Sequence, residues 1–405
     1  MPLPMGLSTI EQGALERLDA AAMLRSMMAW ASRNSGTRNL PGLAGLADDL
    51  REAFAELPGL FRLVEAEPVE SVDQAGNVGV LAHGRHLHGV VRPEAPVQML
   101  FTGHMDTVYP ADHPFQAITE RGDGTINGPG VADMKGGLAV MLGALRAIER
   151  SGAAPSFGYE VVINSDEETG SLSSAALLAR AATGKITAFT YEPALADGTL
   201  AGARGGTGNF ALVVRGRSAH AGRNPEEGRN ALVAAADLAV RLAAAAVPGL
   251  SVNPARIDGG GPNNVVPELA VLRVNFRPAS AFAIGVAEAA LDAAVAAVAA
   301  AHDVRIDVHG GFNRPPKPLD AAAERLFATV RDAGGDLGVP ITWKATGGVC
   351  DGNNIAAAGV PVVDTMGVRG GAIHSPEEFM VVESLAERAA LSVVSILRLA
   401  GRGRV

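Results

Sequence analysis

Imidazole and carboxylate side chains follow predicted strands or lie in glycine-rich turns at several points along the chain. The apolar run VQMLFTG leads into GHMDT, where His104 and Asp106 would share one face of an extended segment. Asp133 lies between glycines in GPGVADMKGG, before a predicted helix. The other groups of this kind are Glu167 and Glu168 in DEETGS, Glu192 in YEPA and His374 in GGAIHS. Because ligands bind outside the carboxyl ends of strands in open α/β sheets, these side chains can converge on one crevice.

Two imidazoles with three or four carboxylates form a donor set that suits a pair of divalent cations of the zinc type. Several carboxylates in one crevice would otherwise repel one another, and metal charge is the simplest means of offsetting that repulsion. Zinc lowers the pKa of a bound water towards ~7. A carboxylate beside the metals can then take the proton and pass it to a leaving amine. The adjacent Glu167 and Glu168 fit such a division into base and ligand.

Each of these pieces also has an ordinary structural explanation. A single histidine at a strand end is more often a hydrogen-bonded structural residue than a ligand. An Asp-Glu-Glu run is commonly a solvated helix N-terminus, which the helix dipole favours. Glu192 and Pro193 are also compatible with a turn. The combination in this order is what favours a metal-dependent hydrolase, and the motifs of serine hydrolases, gluzincins and P-loop enzymes are absent from the sequence.

The composition narrows the class of protein further. With 405 residues, of which 48% are hydrophobic and 19% charged, the chain can bury a sizeable core and form two or three domains. A net charge of −9 argues against nucleic acid or an anionic membrane as the main partner. The single cysteine, Cys350, excludes a disulfide framework and a cysteine-based metal site. With no signal-peptide pattern and no apolar stretch of the ~20 residues that span a bilayer, a cytoplasmic location is expected.

The hydrophobic pattern predicts a small domain inserted into a larger one. Residues 1–206 and 317–405 show strands, loops and helices in alternation, which is typical of an α/β domain with a mainly parallel sheet. Residues 207–316 predict the order β-α-β-β-α-β of a ferredoxin-like α+β domain. The predicted helices span residues 8–32, 43–56, 135–150, 171–182, 229–246, 284–301, 319–335, 352–358 and 382–401.

In this order, several segments resemble the M20 metallopeptidase family, the co-catalytic zinc aminoacylase and carboxypeptidase group. The branch most resembled is that of the glutamate carboxypeptidases (carboxypeptidase G). The resemblance runs from about residue 100 to 376 and implies a dizinc aminopeptidase-like catalytic domain with an inserted dimerisation or lid domain, assembled as a homodimer. The matching segments are GHMDTV, GPGVADMKGG, NSDEETGS, YEPA, RGRSAHAGRNPEEGRNA, NNVVPELAVLRVNFR and GGAIHS.

The resemblance implies two Zn²⁺ per subunit, with Co²⁺ or Mn²⁺ as alternatives. His104, Asp133 and Glu192 would hold one ion. Glu168 and His374 would hold the other, with Asp133 bridging the two.

The family also implies roles for residues beside the metals. Glu167 would be the general base and acid, and Asp106 would accept a hydrogen bond from the His104 ring to fix its tautomer. The bridging aspartate commonly precedes a cis peptide bond, which here would join Asp133 to Met134.

Further roles fall on the inserted domain and on a late loop. By resemblance, His220 in SAHAG would reach the partner subunit's site and help to stabilise an oxyanion. Asn264 and Arg277 match positions that contact the substrate's carboxylate or amide; without the family, Arg277 would be interpreted as a surface residue. Gly348 lies in TGGVCDGN, where the family places a loop that lines the pocket, and Cys350 there would be a packed residue.

The leading functional hypothesis is a dizinc hydrolase that cleaves an amide bond next to a free carboxylate in an N-acyl amino acid or peptide. Arginines around the expected pocket favour an acidic product, Glu or Asp, because a guanidinium can bind a carboxylate through two hydrogen bonds. Aspartate oligomers are a variant of this substrate class. The alternatives are an N-acyl amino acid deacylase of acetylornithine or succinyl-diaminopimelate type and, more remotely, a non-catalytic metal-binding dimer. The arginines in question are Arg204, Arg215, Arg217, Arg223, Arg277 and Arg369.

One feature lies outside the resemblance. HGRHLH brings His83, His86 and His88 close together before the strand at residue 97. A surface metal site is conceivable, but no carboxylate or cysteine accompanies the histidines. The pattern therefore favours a solvated hairpin or insertion.

Overall fold

A computed structural model of the chain describes residues 6–151 and 157–405. Its helices are α1 (Thr9–Leu15), α2 (Ala20–Ala31), α3 (Leu40–Phe54), α4 (Gly137–Glu149), α5 (Ala175–Ala182), α6 (Ala231–Ala244), α7 (Ala281–His302), α8 (Ala321–Leu337), α9 (Asp351–Ala357) and α10 (Ser384–Arg402). Its strands are β1 (Leu60–Val64), β2 (Val69–Val72), β3 (Val78–Leu81), β4 (His86–Val91), β5 (Gln98–His104), β6 (Thr119–Glu120), β7 (Thr125–Asn127), β8 (Gly158–Asn164), β9 (Thr187–Thr190), β10 (Ala194–Leu195), β11 (Leu200–Arg204), β12 (Thr207–Arg215), β13 (Leu250–Gly259), β14 (Leu269–Pro278), β15 (Arg305–Arg314), β16 (Trp343–Thr346), β17 (Val362–Val363), β18 (Arg369–Gly371) and β19 (Phe379–Val381).

The largest sheet has six strands in the order β1-β4-β8-β5-β9-β17. The four strands from β8 to β17 are parallel, and β1 and β4 are antiparallel at one side. Both faces are covered: Phe101 packs in the larger apolar core, and its neighbour Leu100 packs in a smaller core on the other face. The continuous apolar run of β5 follows from this double burial, and the predicted mainly parallel α/β fold is confirmed.

A second sheet is built from residues between 207 and 314. Its order is β13-β14-β12-β15 and all neighbours are antiparallel. The helices α6 and α7 pack on it around a separate apolar core that includes Leu212, Leu238 and Leu272. The chain order β12-α6-β13-β14-α7-β15 is the predicted β-α-β-β-α-β arrangement. The limits of 206/207 and 316/317 for independent domains stay a prediction.

The predicted helix over 8–32 is wrong in one respect, because the structure has two helices there. Asp19 begins α2 by accepting a hydrogen bond from the backbone N–H of Ala22 at 2.9 Å. Ser8 caps α1 in the same way through Glu11. A second capping residue inside a periodic apolar pattern was the signal for a break.

The prediction of a solvated hairpin for HGRHLH is also wrong. His86 begins β4, which lies between β1 and β8 in the large sheet, and the side chain is buried. His88 Nε2 lies 2.7 Å from Glu160 Oε2, and His83 contacts Arg38. Burial lowers the pKa of His86, which favours the neutral ring. Within residues 6–151 and 157–405, none of the three histidines belongs to a group suited to a metal.

By length and composition, α7 is the one helix in the described part of the chain that could cross a membrane, with a mean hydropathy of 1.8. The sequence predicts no membrane-spanning stretch here, because Glu288 and Asp292 interrupt the apolar residues. The dense alanines keep the mean hydropathy high despite these two charges. The buried residues recur at helical spacing and pack on the second sheet: Ala283, Ala287, Leu291, Ala294 and Val298.

Candidate metal centre

Three neighbouring parallel strands deliver the candidate ligands to one edge of the large sheet. His104 is the last residue of β5. Glu167 and Glu168 form a single turn after β8, and Glu192 follows β9. The backbone N–H of Met105 continues the β5–β8 pairing by donating to Asn164 O at 2.8 Å. The expected convergence therefore follows from strand order, because β8, β5 and β9 are adjacent.

The His104 ring has a defined orientation. Its Nδ1 lies 3.0 Å from the backbone O of Asp106, and because a carbonyl only accepts, Nδ1 carries the proton. Its Nε2 faces the crevice, where it lies 3.0 Å from Asp133 Oδ1 and 3.8 Å from Glu192 Oε1. The sequence predicted the Asp106 side chain as the acceptor. The carboxylate is 3.4 Å away, so the backbone carbonyl is the closer partner.

The buried Asp106 carboxylate orients the neighbouring turn instead. It accepts hydrogen bonds from the backbone N–H groups of Glu167 at 3.1 Å and Glu168 at 3.2 Å. A third bond comes from the Thr37 hydroxyl at 2.7 Å. One aspartate thus fixes the backbone of the predicted base and the predicted ligand together.

Asp133 lies between the two imidazoles. Its Oδ1 faces His104 Nε2, and its Oδ2 lies 3.4 Å from His374 Nε2. His374 Nε2 also lies 3.2 Å from Glu168 Oε2. The peptide bond from Asp133 to Met134 is cis, as the family resemblance implies. A carboxylate with one oxygen towards each imidazole has the arrangement that a bridging ligand needs.

The electrostatics of the crevice favour an added positive charge. Burial, and then the Asp133 charge, raise the pKa values of Glu168 and Glu192 to about 8. Burial opposes ionisation of Asp133 too, but hydrogen bonds from His104 and His374 hold its pKa below the usual range. The hydrogen bonds that His374 makes with Asp133 and Glu168 raise the pKa of His374 to about 10. A cation bound in this crevice would favour the ionised carboxylates.

The residues present fit a pair of divalent cations. Two overlapping groups have ligand atoms within 4.8 Å of one another: His104 with Glu167 and Glu192, and His104 with Asp133 and Glu168. Buried Glu192 Oε1 has no hydrogen-bond partner in the described structure. A buried carboxylate oxygen without a donor costs free energy, which a cation bound there would offset.

Glu167 differs from the other carboxylates in having a protein cation as its partner. Its Oε1 lies 2.8 Å from Arg314 Nη2, and both side chains are buried. Burial raises the pKa of Glu167 to about 7, against the opposing charge of Arg314. An arginine-paired carboxylate is less available as a ligand, which agrees with the predicted division between Glu167 and Glu168.

A cavity of about 270 Å³ extends from these residues. Arg204, Lys344 and Gly348 also line it. The Gly348 carbonyl accepts a hydrogen bond from Arg204 Nη1 at 3.1 Å. Cys350 is buried in the wall, burial raises the pKa of its thiol, and its Sγ caps α9 through Gly352. These contacts agree with a packed cysteine.

Three predicted site residues belong to the inserted region and do not line this cavity in the described chain. His220, Asn264 and Arg277 are exposed. His220 and Asn264 lie on adjacent segments, since Ala221 N donates to Asn264 O at 2.9 Å. Arg277 lines a neighbouring cleft that shares Arg204 with the cavity.

The predicted arginine cluster is largely wrong, because the structure pairs most of its members elsewhere. Arg204 is the one of the six that lines the cavity in the described residues. Arg215 contacts Asp307 and Gly76 O. Arg369 pairs with Glu383 and Glu387, and Arg217 donates to a backbone carbonyl. Sequence proximity to the site could not reveal these pairings.

Sequence reasoning missed Glu378, a buried carboxylate behind Asp133. It accepts hydrogen bonds from the backbone N–H groups of Gly130, Ala132 and Asp133 and from the Tyr109 hydroxyl. Nothing in the sequence separates it from its exposed neighbour Glu377. Its position four residues after His374 was the one available signal.

A mainly parallel α/β sheet with imidazoles and carboxylates gathered at one edge suits a metal-dependent hydrolase. The family described as Peptidase family M20/M25/M40 matches residues 100–398, and the chain belongs to this family. The protein is therefore an enzyme of the metallopeptidase and amidohydrolase class. The predicted family membership is confirmed, and the remote alternative of a non-catalytic binding protein is not favoured.

Relatives and solved structures agree with this assignment. The chain is 29% identical over 396 residues to carboxypeptidase G2 of Pseudomonas sp. (strain RS-16), covering 95% of this chain and 90% of that protein. It is 28% identical over 321 residues to a succinyl-diaminopimelate desuccinylase of Psychrobacter arcticus, covering 71% of this chain and 75% of that protein. A dinuclear metal-binding peptidase of the M20 family from Bacillus subtilis matches the fold with a TM-score of 0.67, at 14% identity, over 94% of this chain and 98% of that one.

Proposed function

We propose that this enzyme hydrolyses the amide bond that joins an acidic residue to an acyl or peptidyl group, releasing Glu or Asp from the C-terminal end. N-acyl-Glu, acidic peptides and aspartate oligomers are the substrate class. The observation that carries the proposal is the position of Arg204, in the same cavity wall as the candidate metal ligands. The similarity to carboxypeptidase G2 supports it.

The metal sites follow from the donor set. His104, Asp133 and Glu192 are proposed to hold one Zn²⁺, and Asp133, Glu168 and His374 the other, with Co²⁺ or Mn²⁺ as alternatives. When bound, the metal pair supplies an activated water and polarises the scissile carbonyl.

Glu167 is proposed to move the proton. Its carboxylate lies within 4.8 Å of ligand atoms of His104 and Glu192 and opens on the same cavity. Glu167 would take the proton from the attacking water and return it to the nitrogen of the leaving amine.

The positive charge of Arg204 beside the cavity supports an acidic product. Arg204 donates to Asp364 through Nε at 2.7 Å and Nη2 at 3.1 Å. Lys317 Nζ lies 2.9 Å from the same carboxylate. Two buried cations thus share one buried anion. A substrate carboxylate in the cavity would add a second anion beside them.

Wild-type enzyme is expected to hydrolyse N-acyl-Glu or an aspartyl dipeptide at least ~10-fold more efficiently than N-acyl-Leu. The R204K substitution keeps the charge but loses the contacts with Asp364 and Gly348 that fix the guanidinium, and is expected to lower kcat/KM for the acidic substrates by at least ~10-fold. Release of free amino acid, measured with saturating zinc, checks both results. R92K is the matched control, since Arg92 forms a comparable pair with Glu149 away from the cavity.

Equal rates on N-acyl-Glu and N-acyl-Leu would contradict the acidic preference and leave metal-dependent hydrolysis standing. The second candidate function is an N-acyl amino acid deacylase of acetylornithine or succinyl-diaminopimelate type. The similarity to a succinyl-diaminopimelate desuccinylase favours it. Including N-acetylornithine and N-succinyl-diaminopimelate in the same panel separates the two functions.

We also propose that a homodimer completes the site. The exposure of His220, Asn264 and Arg277 in the inserted region is the observation that supports it. Mixing E167Q subunits with H220A subunits is then expected to regenerate about one working site per heterodimer. The measurement is activity after subunit exchange, with exchange followed by mass. Exchange without recovered activity would favour a site completed within one chain.

A further inference from the structure

Arg314 is a buried cation at the point where the chain returns from the inserted region. It is the last residue of β15 and is followed by Pro315. Its side chain is 5% exposed and reaches the turn that carries Glu167. No motif in the sequence points to a role for this residue.

The contacts of the Arg314 guanidinium centre on Glu167. Nη2 lies 2.8 Å from Glu167 Oε1 and 2.9 Å from the backbone O of the same residue. The same nitrogen lies 2.8 Å from Ser171 Oγ and 3.4 Å from Asp351 Oδ1. Side chain and backbone of Glu167 are therefore held by one group.

We propose that Arg314 is a positioning residue that sets the orientation of the Glu167 carboxylate for proton transfer. The inference rests on the proposed function of Glu167 as the general base. Arg314 does not itself touch the reacting atoms. A glutamate side chain has three rotatable bonds. Holding its carboxylate against a buried guanidinium restricts these rotations and keeps the carboxylate in one orientation for proton transfer.

A buried network fixes the guanidinium in turn. Asp351 accepts a hydrogen bond from Asn164 Nδ2 at 2.7 Å and another from the Ser171 hydroxyl. Asn164 ends β8, in the centre of the large sheet. The support for Glu167 thus runs from the sheet through Asp351 to Arg314.

The helix α9 also holds the two segments that connect the inserted region to the rest of the chain. Asn353 Nδ2 donates to Gly205 O at 2.8 Å, just before β12, and to Pro315 O at 2.7 Å, just after β15. Asn354 Nδ2 donates to Asn313 O at 2.9 Å. Both crossings are therefore anchored on α9, and the last residue of the inserted sheet keeps a fixed place beside Glu167.

The contacts of the guanidinium are concentrated on the turn that carries Glu167. Nη2 faces both the side chain and the backbone of Glu167, whereas the buried Nε has no hydrogen-bond partner in the described structure.

The test uses R314M and R314K in the zinc-loaded, full-length enzyme. R314M is expected to lower kcat by at least ~10-fold with KM and metal content within ~2-fold of wild type. R314K is expected to recover part of the loss, because an ammonium keeps the positive charge beside Glu167 but cannot reproduce all the contacts that Nη2 makes with Glu167 and Ser171. In the E167Q background, R314M is expected to lower kcat by less than ~2-fold more, because residues that act as a unit are not additive.

R398K is the matched control. Arg398 also bonds two carboxylates, Glu11 at 2.8 Å and Asp336 at 2.7 Å, but lies away from the cavity. It is expected to change Tm and leave kcat unaltered. If R314M does not fold, R314K carries the test.

Three results would each overturn the positioning role: an unchanged kcat in R314M (or in R314K, if R314M does not fold), a change in KM alone, or losses of kcat that are fully additive with that of E167Q. If E167Q itself keeps wild-type kcat, the proposed base is wrong, and this outcome is distinct from a failure of the Arg314 proposal alone.

Discussion

The E167Q substitution is expected to lower kcat by at least ~10²-fold, the usual contribution of a positioned general base. Gln keeps the size and hydrogen-bonding capacity of the side chain but cannot accept the proton. The candidate ligands are untouched, so metal content and KM should stay near wild type. Steady-state kinetics on an acidic substrate, with elemental analysis of the same preparation, measures all three quantities.

The control for this prediction is E160Q. Glu160 is a half-buried carboxylate paired with His88 and Lys185 on the large sheet, away from the cavity. It should retain kcat even if Tm falls. A kcat for E167Q close to that of E160Q would mean that another group carries the proton.

The sheet and the inserted region could be predicted because they rest on local patterns. The apolar run of β5 and the β-α-β-β-α-β order are both visible as periodicity and turn residues. The break at Asp19 was not predicted, because it required a helix cap to outweigh a continuous apolar pattern. The burial of His86 was not predicted either, because it depends on partners in β8 and in the turn that follows β8.

The candidate ligands could be predicted for a different reason. They follow strands or lie in glycine-rich turns, and both features are recognisable in the sequence. His104, Asp133 and Glu192 are of this kind. Arg314 could not be found this way, because its contact with Glu167 joins residues 147 positions apart. The arginine cluster failed for the converse reason, as nearness in sequence says nothing of pairing.

Removing Asp133, the proposed bridging carboxylate, is expected to have the largest effect of all. D133N keeps the shape of the side chain but loses the charge that faces both His104 and His374. Both metal sites should weaken, and kcat/KM should fall by at least ~10³-fold, since metal ions supply several kcal/mol of transition-state stabilisation. Elemental analysis and kinetics check this result. D320N is the control, because Asp320 caps α8 and is not a candidate ligand.

The most direct test of a metal-driven hydrolase is turnover as metal is removed and restored. Wild-type protein would be stripped with a chelator, dialysed, and titrated with Zn²⁺ while release of acidic amino acid and bound metal are measured together. The expected result is no turnover in metal-free protein and full recovery at about two equivalents per chain, in keeping with a two-metal site. Full turnover by protein that elemental analysis finds free of metal would contradict it.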